Sequence, residues 1–469
     1  MKPSKPRSAT MNEQTFIPAT MRALYSALPP PTDPTITPES SDGPAPAASL
    51  ILDTDFPTPQ PSAHQYLLKV YAAAFSHDEV RLASALNPSV TTPQIPLHSL
   101  CGTVIATPAQ DSERPLGPRY QIGDVVFGLL SYTRDGGAAD YVLATDDELA
   151  FKPANISVSE AAALALPALT AWQALFRFAG LDPDAPAGGN SHGQSNGDLD
   201  GNGNRKKLSI GSGSSRGEGT NNRLGSHWLS GNRYRRKSAG GDSGNGHGNG
   251  SRNRLFNGND FLKRKVAPLR VLVTNTRDSE VGRIAVQLLR SEKLFEYPVR
   301  PWICVTCTGL EEETVRRDWD VDEILIIPHL PAQNECDLGA MFRSRKWSPV
   351  DVVLDCTGGE VFRQAHTSAV VKEYGTVMTA VDQRPAQEPM AMDEQDVLGR
   401  RNRGLRSLFV PVNPDHVALA RIADLVEGNM VRGRKEQEVD LANAATLLDA
   451  GAAGAAGSRR GGMMVVRVN

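Results

Sequence analysis

The sequence predicts an α/β protein that combines a small β-barrel or sandwich with a parallel sheet covered by helices on both faces. Three observations support this fold class. Closely spaced strand patterns with Gly and Pro between them fill the first third of the chain. After residue 268, strand and helix patterns alternate, which is typical of a parallel sheet. A stretch rich in Gly, Asn, Ser and Arg separates the two regions.

Length and composition agree with two domains and some unpacked chain. A chain of 469 residues exceeds one ordinary core, and only 40% of its residues are hydrophobic. The net charge of −3 provides no overall field that would hold nucleic acid or an anionic membrane. Five scattered cysteines favour a reducing compartment, so we expect a cytoplasmic protein. A short basic N-terminal segment leaves a mitochondrial location open.

The first region is predicted to contain a tail, a set of strands and one helix. Residues 1–20 are expected to form a disordered tail. Ser157 followed by Glu160 is a capping-box signature, and an Ala- and Leu-rich helix is predicted after it. The richest apolar run, 161–172, is too short to cross a bilayer and contains Pro167, so membrane insertion is not expected. The predicted strands lie at 21–25, 49–52, 65–71, 102–106 and 124–130.

Residues 181–265 have no apolar period and are dominated by Gly, Asn, Ser and Arg. Such a segment cannot bury enough surface to offset the entropy lost on ordering it. We interpret it as a disordered insertion within the fold. Its basic clusters, 233–237 and 263–265, leave RNA or acidic partners open. Without folded aromatic residues around them, a solvated loop is the favoured interpretation, and nucleic-acid binding is not expected.

The second region alternates strands and helices. Helices are predicted at 281–294, 311–319 and 414–427. The closing segment, 462–468, is predicted to be a strand that returns to the first domain. The other predicted strands lie at 269–274, 302–307, 323–327, 350–355 and 376–380.

Several blocks of the chain carry a family resemblance by their order and spacing. They are AADYV at 138–142, KPANI at 152–156, the Glu160 helix through residue 174, DVVLDCTGG at 351–359 and IADLVEG at 422–428. In this order they resemble the quinone oxidoreductase and enoyl reductase branch of the medium-chain dehydrogenase/reductase superfamily. The resemblance implies a GroES-like catalytic domain over 21–170, completed by 409–469. It also implies a Rossmann domain over 171–408, interrupted by 181–265, and a nicotinamide, usually NADPH, between the domains.

Zinc-dependent members of that superfamily need a Cys, a His-Glu pair and a third ligand, because catalytic zinc takes three protein groups. Phe75 stands here where the Cys would be, and beside His98 the acid is replaced by Ser99. Cys304 and Cys307 have CxxC spacing but are expected on opposite faces of one buried strand, with no second pair. We therefore predict no metal.

The turn that should hold the cofactor pyrophosphate departs from the family pattern. Related reductases have a Gly-rich turn between the first Rossmann strand and its helix, and this chain keeps only Gly282. Arg277 or Arg283 is a candidate to pair with phosphate, whereas Asp278 and Glu280 would repel it if they faced inward. The residues predicted to bind the cofactor are Asn275, Ser279, Val281, Gly282, Thr308, Gly358 and Gly359.

The residues after the second Rossmann strand indicate whether NADPH or NADH is preferred. Thr308 matches the position where the family places a hydroxyl near the adenosine ribose or its 2′-phosphate. No acidic residue directly follows this strand, and the acids at 311–313 come a few residues later. Because a carboxylate on the ribose would repel the 2′-phosphate, NADPH is favoured over NADH.

The resemblance implies reduction by hydride transfer, with the protein orienting the ring and stabilising the developing charge. Ser76, Tyr71 and Thr170 are the candidates to line the catalytic site, each with a packing or capping role as the alternative. We predict an NADP-dependent reductase of an activated C=C bond (enoyl or enone) or of a quinone. The alternative is a catalytically impaired reductase fold that acts as a nucleotide sensor or scaffold. The resemblance also suggests a homodimer.

Overall fold

The computed structural model describes ten stretches of the chain. The predicted tail lies outside them except for 17–20, and the predicted insertion lies outside them except for Leu181. The described residues are 17–26, 50–75, 94–108, 117–181, 268–274, 279–295, 300–328, 337–381, 403–446 and 463–469.

The first sheet is a mixed, mostly antiparallel sheet of seven strands that centres on β3. β3 pairs with β4, β6 and β15, and the last of these returns from the far end of the chain to place Met464 opposite Phe75. The predicted return of the closing strand is thereby confirmed. A separate antiparallel pair joins β1 to β2. The bounds are β1 Thr20–Ser26, β2 Leu50–Pro57, β3 Tyr66–Phe75, β4 Ser99–Ala106, β5 Val125–Leu129, β6 Tyr141–Ala144, β7 Leu149–Phe151, β14 Lys435–Asp440 and β15 Met463–Arg467.

Helix α1 (Val158–Trp172) continues into a π-helix (Gln173–Phe178) and forms the centre of the core. The predicted capping box is confirmed, because the Ser157 hydroxyl accepts from the Glu160 N–H and the Glu160 carboxylate accepts from the Ser157 N–H. By length and composition alone the combined helix could cross a membrane, but 78% of its most apolar window is buried inside the protein. It is therefore a core helix, which packs against β3 and β4 on one side and against the helix at Glu280–Arg290.

Ser99, the first residue of β4, is inserted into the hydrogen-bond ladder of α1. Its hydroxyl donates to the carbonyl of Ala162 at 2.6 Å and accepts from the N–H of Leu166 at 3.2 Å. The interruption lies directly before Pro167, which has no N–H to continue the ladder. The hydroxyl thus joins the first sheet to the core helix.

The second sheet has six parallel strands in the order β10-β9-β8-β11-β12-β13. The strand order reverses between β8 and β11, as in doubly wound nucleotide-binding sheets. Cys304 and Cys307 are buried on opposite faces of β9, as predicted. The bounds are β8 Arg270–Val273, α2 Glu280–Arg290, β9 Trp302–Cys307, α3 Glu312–Asp318, β10 Glu323–Ile326, α4 Leu338–Ser344, β11 Val350–Asp355, α5 Gly359–Ala365, β12 Val371–Thr379, β13 Arg406–Phe409 and α6 His416–Glu427.

Two strands that the sequence does not predict, and one that it predicts too short, differ from the expectation for physical reasons. β13 and β14 are edge strands whose described side chains are exposed or half-buried, so they carry no apolar alternation. β12 begins at Val371, five residues before the predicted start. Its first part contains a bulge in which Tyr374 has a φ of 58°, and the bulge breaks the strand pattern.

The carboxyl ends of β8, β11 and β12 are tied together by Asp355, which is completely buried. Its carboxylate accepts from the hydroxyls of Thr274 and Thr379 at 2.8 and 2.9 Å. The backbone N–H groups of Thr357 and Gly358 donate to it at 3.2 and 3.0 Å, which fixes the turn after β11. Burial raises the pKa of Asp355, and the two threonine hydroxyls act in the opposite direction.

We expect Asp355→Asn to lower the free energy of unfolding by about 1–3 kcal/mol, because the amide group can no longer accept from all four donors. Asp351→Asn on the same strand is the matched control. Asp351 is partly exposed, pairs with Lys372 and accepts from the Arg270 N–H, a bond that the amide oxygen can keep, so the substitution should cost less than about 1 kcal/mol. Urea unfolding of both variants measures the difference, and equal losses would contradict the role given to Asp355.

Candidate functional site

The candidate site lies at the carboxyl edge of the parallel sheet, where the strand order reverses and α2 begins. Ser279 is the N-cap of α2, and its hydroxyl accepts from the N–H of Gly282 at 3.2 Å. The structure therefore brings Ser279, Val281 and Gly282 into one helix turn, and the N-terminal end of a helix favours an anion. Asn275, with Arg277 and Asp278, lies outside the described residues.

Gly358 and Gly359 follow β11 at the same edge. Their φ angles are +76° and +53°, in the left-handed region that glycine adopts without strain. A Cβ on Gly359 would meet no atom within 4 Å, and one on Gly358 would meet only the Val381 side chain. The backbone at this turn is thus open to the close approach of a ligand.

The turn after β9 places a carboxylate where the sequence analysis expected none. The Glu311 carboxylate accepts from the Thr308 N–H at 3.0 Å, and the Glu311 N–H donates to the Thr308 carbonyl. Glu311 is only 8% exposed. The tight turn brings an acid that is three residues away in sequence back to the end of the strand. Beside this turn lie two exposed apolar side chains, Leu310 and Ile326.

Glu280, the first residue of α2, is buried rather than solvated. One carboxylate oxygen, Oε1, accepts from the backbone N–H of Arg434 at 2.6 Å, which connects α2 to the segment before β14. Burial raises the pKa of Glu280 to about 7, although Arg283 and Arg434 favour its charged form. The sequence leaves open whether Glu280 faces the cofactor phosphate. In the structure its Oε1 atom faces the segment before β14.

The predicted catalytic residues are not brought together by any contact in the described chain. Thr170 is buried on α1, and its hydroxyl donates to the Leu166 carbonyl at 2.8 Å, so it can offer a ligand only an acceptor. Tyr71 lies at a bulge of β3, where its carbonyl accepts from the Val468 N–H. Ser76 lies outside the described residues.

The described residues do not supply a zinc ligand set. No group of three or more His, Cys, Asp or Glu side chains in them is arranged to hold a metal. His98 is buried, with Nε2 at 2.9 Å from the Arg134 carbonyl and its ring against Tyr132. Ser99, at the position of the family acid, is engaged with α1. The prediction of a metal-free site remains a prediction.

Two residues of the site were not selected from the sequence. Asp355 is the last residue of the apolar strand β11. An acid at the end of such a strand was the one sign in the sequence that it belongs to the site. Cys356 follows it and is buried with its thiol near the Ser279 hydroxyl and the Gly282 N–H. Burial raises the pKa of Cys356 to about 12, so the thiol is not a nucleophile at neutral pH.

Comparison with known proteins gives relatives for parts of the chain. Residues 338–461 match a family model described as zinc-binding dehydrogenase. The chain is 37% identical over 138 residues to a probable zinc-binding oxidoreductase, mitochondrial, of Arthroderma benhamiae, covering 29% of this chain and 39% of that protein. It is 30% identical over 155 residues to the chloroplastic quinone-oxidoreductase homolog of Spinacia oleracea, covering 32% and 40%. These matches span about two fifths of the length of the relatives.

Solved structures match over nearly the whole fold. The quinone oxidoreductase from Coxiella burnetii has a TM-score of 0.56 at 17% identity, covering 96% of this chain and 99% of that chain. The CurK enoyl reductase has a TM-score of 0.56 at 15% identity, covering 90% and 95%. At these identities the likeness concerns the fold, and it confirms the predicted combination of a GroES-like barrel and a Rossmann sheet. Taken with the sequence relatives, this likeness supports the medium-chain dehydrogenase/reductase superfamily and its quinone oxidoreductase branch.

Proposed function

We propose that this chain is a nicotinamide-dependent oxidoreductase that reduces a quinone or an activated C=C bond of an enoyl or enone, without a bound metal. The observation that carries the proposal is the meeting of two features at one sheet edge. The first turn of α2 offers backbone N–H groups to a pyrophosphate, and the left-handed turn at Gly358 and Gly359 leaves the backbone open. The names of the relatives, oxidoreductase and quinone oxidoreductase homolog, support the reaction class.

The residues at this edge fit the parts of a dinucleotide. Ser279, Val281 and Gly282 would hold the pyrophosphate, and Thr308 would meet the adenosine ribose beside the apolar surface of Leu310 and Ile326. Gly358 and Gly359 would line the path toward the reacting ring. Asn275 completes the predicted set. The nicotinamide, when bound, supplies the hydride.

The protein's own contribution is to orient the substrate and to stabilise the charge that develops on it. Thr170 would accept a hydrogen bond, because its own proton is held by the Leu166 carbonyl. A donor to the substrate oxygen must therefore come from elsewhere, and Ser76 is the residue that we propose for it, with Tyr71 as a further lining residue. The α-carbon proton of an enone would come from water.

Two observations bear on the choice of nucleotide. Thr308 and the family resemblance favour NADPH, which is the preference predicted from the sequence. The position of Glu311 at the end of β9 favours NADH, because a carboxylate there repels a 2′-phosphate and accepts from a ribose hydroxyl. NADH is therefore the second candidate cofactor.

A sensor or scaffold without turnover is the alternative function. The observation that favours it is Glu280, an acid in the helix turn where related reductases carry glycine. The homodimer and the other partners remain expectations from the sequence. The cytoplasm is the expected compartment, and a mitochondrial location is the alternative, since one relative is named mitochondrial. RNA binding through 181–265 is not favoured.

The first test is a thermal-shift titration with NADPH and NADH. A nucleotide that binds the folded state should stabilise it by about 2.7 kcal/mol at a hundred times its Kd, which raises Tm by several degrees. Consumption of the bound nucleotide with quinones and enones, insensitive to EDTA, should follow. No shift at millimolar nucleotide would overturn the proposal, whereas a shift without consumption would indicate the sensor.

The second test concerns Glu311. We expect Glu311→Gln to raise the affinity for NADPH relative to NADH about tenfold, because it removes a negative charge beside the 2′-phosphate. Glu313→Gln is the matched control, since it removes the same charge from an exposed position in the same turn region. Isothermal titration of both nucleotides measures the ratio. An unchanged ratio, or an equal change in the control, would exclude Glu311 as a determinant.

A further inference from the structure

The first turn of α2 contains a buried acid and a guanidinium that form an ion pair but leave one polar atom each without a hydrogen bond. Glu280 Oε1 and Arg283 Nη1 are paired at 3.6 Å, longer than an ordinary hydrogen bond. Glu280 is 6% exposed. Its second oxygen, Oε2, is buried without a hydrogen-bond partner in the described part of the chain, and so is Arg283 Nη1. Buried polar atoms of this kind are uncommon, and each lowers the stability of the fold.

A third group that contacts both atoms would remove this deficit. Arg283 can only donate, so the group must offer a lone pair to it. The same turn begins an eleven-residue helix, whose N-terminal end favours an anion. A phosphate oxygen meets both requirements. It would be repelled by an ionised Glu280 but would accept a hydrogen bond from the protonated carboxyl.

We propose that Glu280 and Arg283 form a two-residue clamp for the cofactor pyrophosphate, in which Glu280 binds as the protonated acid and nucleotide binding takes up a proton. The inference rests on the proposed function and deepens it, since it assigns the binding chemistry of the turn that has lost its glycines. The protonated Glu280 carboxyl then donates a hydrogen bond to the pyrophosphate. In related reductases, glycines at this turn let the backbone itself approach the pyrophosphate.

The surroundings of Glu280 are consistent with this chemistry. The charged groups that face it are Arg283 on α2 and Arg434 on the segment before β14, and both favour its ionised form. Burial outweighs them and raises its pKa to about 7, so the protonated form is already well populated at neutral pH. The backbone N–H of Arg434 keeps Oε1 occupied as an acceptor, which leaves the proton to Oε2.

The direction of the pH dependence follows from the pKa of about 7. Well below pH 7 the acid is protonated before the nucleotide arrives, so affinity is constant and no proton is taken up. Above pH 7 each binding event must first protonate Glu280, and affinity falls by about tenfold for each pH unit. Between pH 6 and 8.5 the expected loss of affinity is about 30-fold.

Isothermal titration with NADH is the test, because its diester pyrophosphate does not titrate in this range. Measurements at pH 6 and 8.5, in buffers that differ in ionisation enthalpy, report affinity and the number of protons taken up. Glu280→Gln keeps an acceptor for Arg434 and a donor for phosphate but cannot ionise. We expect its affinity to change less than about threefold with pH and to exceed that of the native protein about 30-fold at pH 8.5.

Glu292→Gln is the matched control, since it removes the same charge from an exposed position just beyond the other end of α2. It should retain the pH dependence and proton uptake of the native protein. If NADH binds the native protein without proton uptake and with the same affinity at both pH values, the clamp is wrong and the proposed function stands. If NADH and NADPH bind at neither pH, both proposals fall. Thermal melting of each variant verifies folding.

Discussion

The buried carboxylate of Asp355 is the interaction on which the arrangement of the site depends. Parallel strands end separately, and nothing in a strand ladder fixes the loops that follow them. Asp355 gathers a hydroxyl from the end of β8, a hydroxyl from β12 and two N–H groups from its own turn. Asp355 therefore joins the turn that contains Gly358 to the strand that leads to α2, and the hydrogen bonds that it accepts compensate for its burial. The Cys356 N–H and the Thr357 hydroxyl reinforce this link by donating to the Thr274 hydroxyl.

Most of the fold could be predicted from the sequence, because its elements carry strong local signals. The capping box at Ser157 and Glu160, the apolar strands of the second sheet and the closing strand all repeat the patterns that burial imposes. The edge strands β13 and β14 were not predicted, because one side of each is exposed and exposed positions accept polar and apolar side chains alike. The domain boundaries stay predictions.

The site was predictable to a smaller extent, because its geometry depends on turns and long-range contacts. Sequence distance suggested that Glu311 stood clear of the strand end, yet a single tight turn folds it back onto Thr308. The role of Ser99 depends on contact with a helix more than sixty residues away. The burial of Glu280 depends on Arg434, which lies in the other part of the fold. Such contacts leave no trace in a local pattern.

The pairing of β15 with β3 has a consequence for biosynthesis. The two strands are separated by about 390 residues, and the whole parallel sheet lies between them in the chain. While the polypeptide emerges from the ribosome, β6 can pair with Tyr66–Lys69 of β3, but Ala72–Phe75 must wait for β15, which is translated much later. Closure of the first sheet is thus a late event of high contact order, during which the nascent chain is most exposed to aggregation and to chaperones.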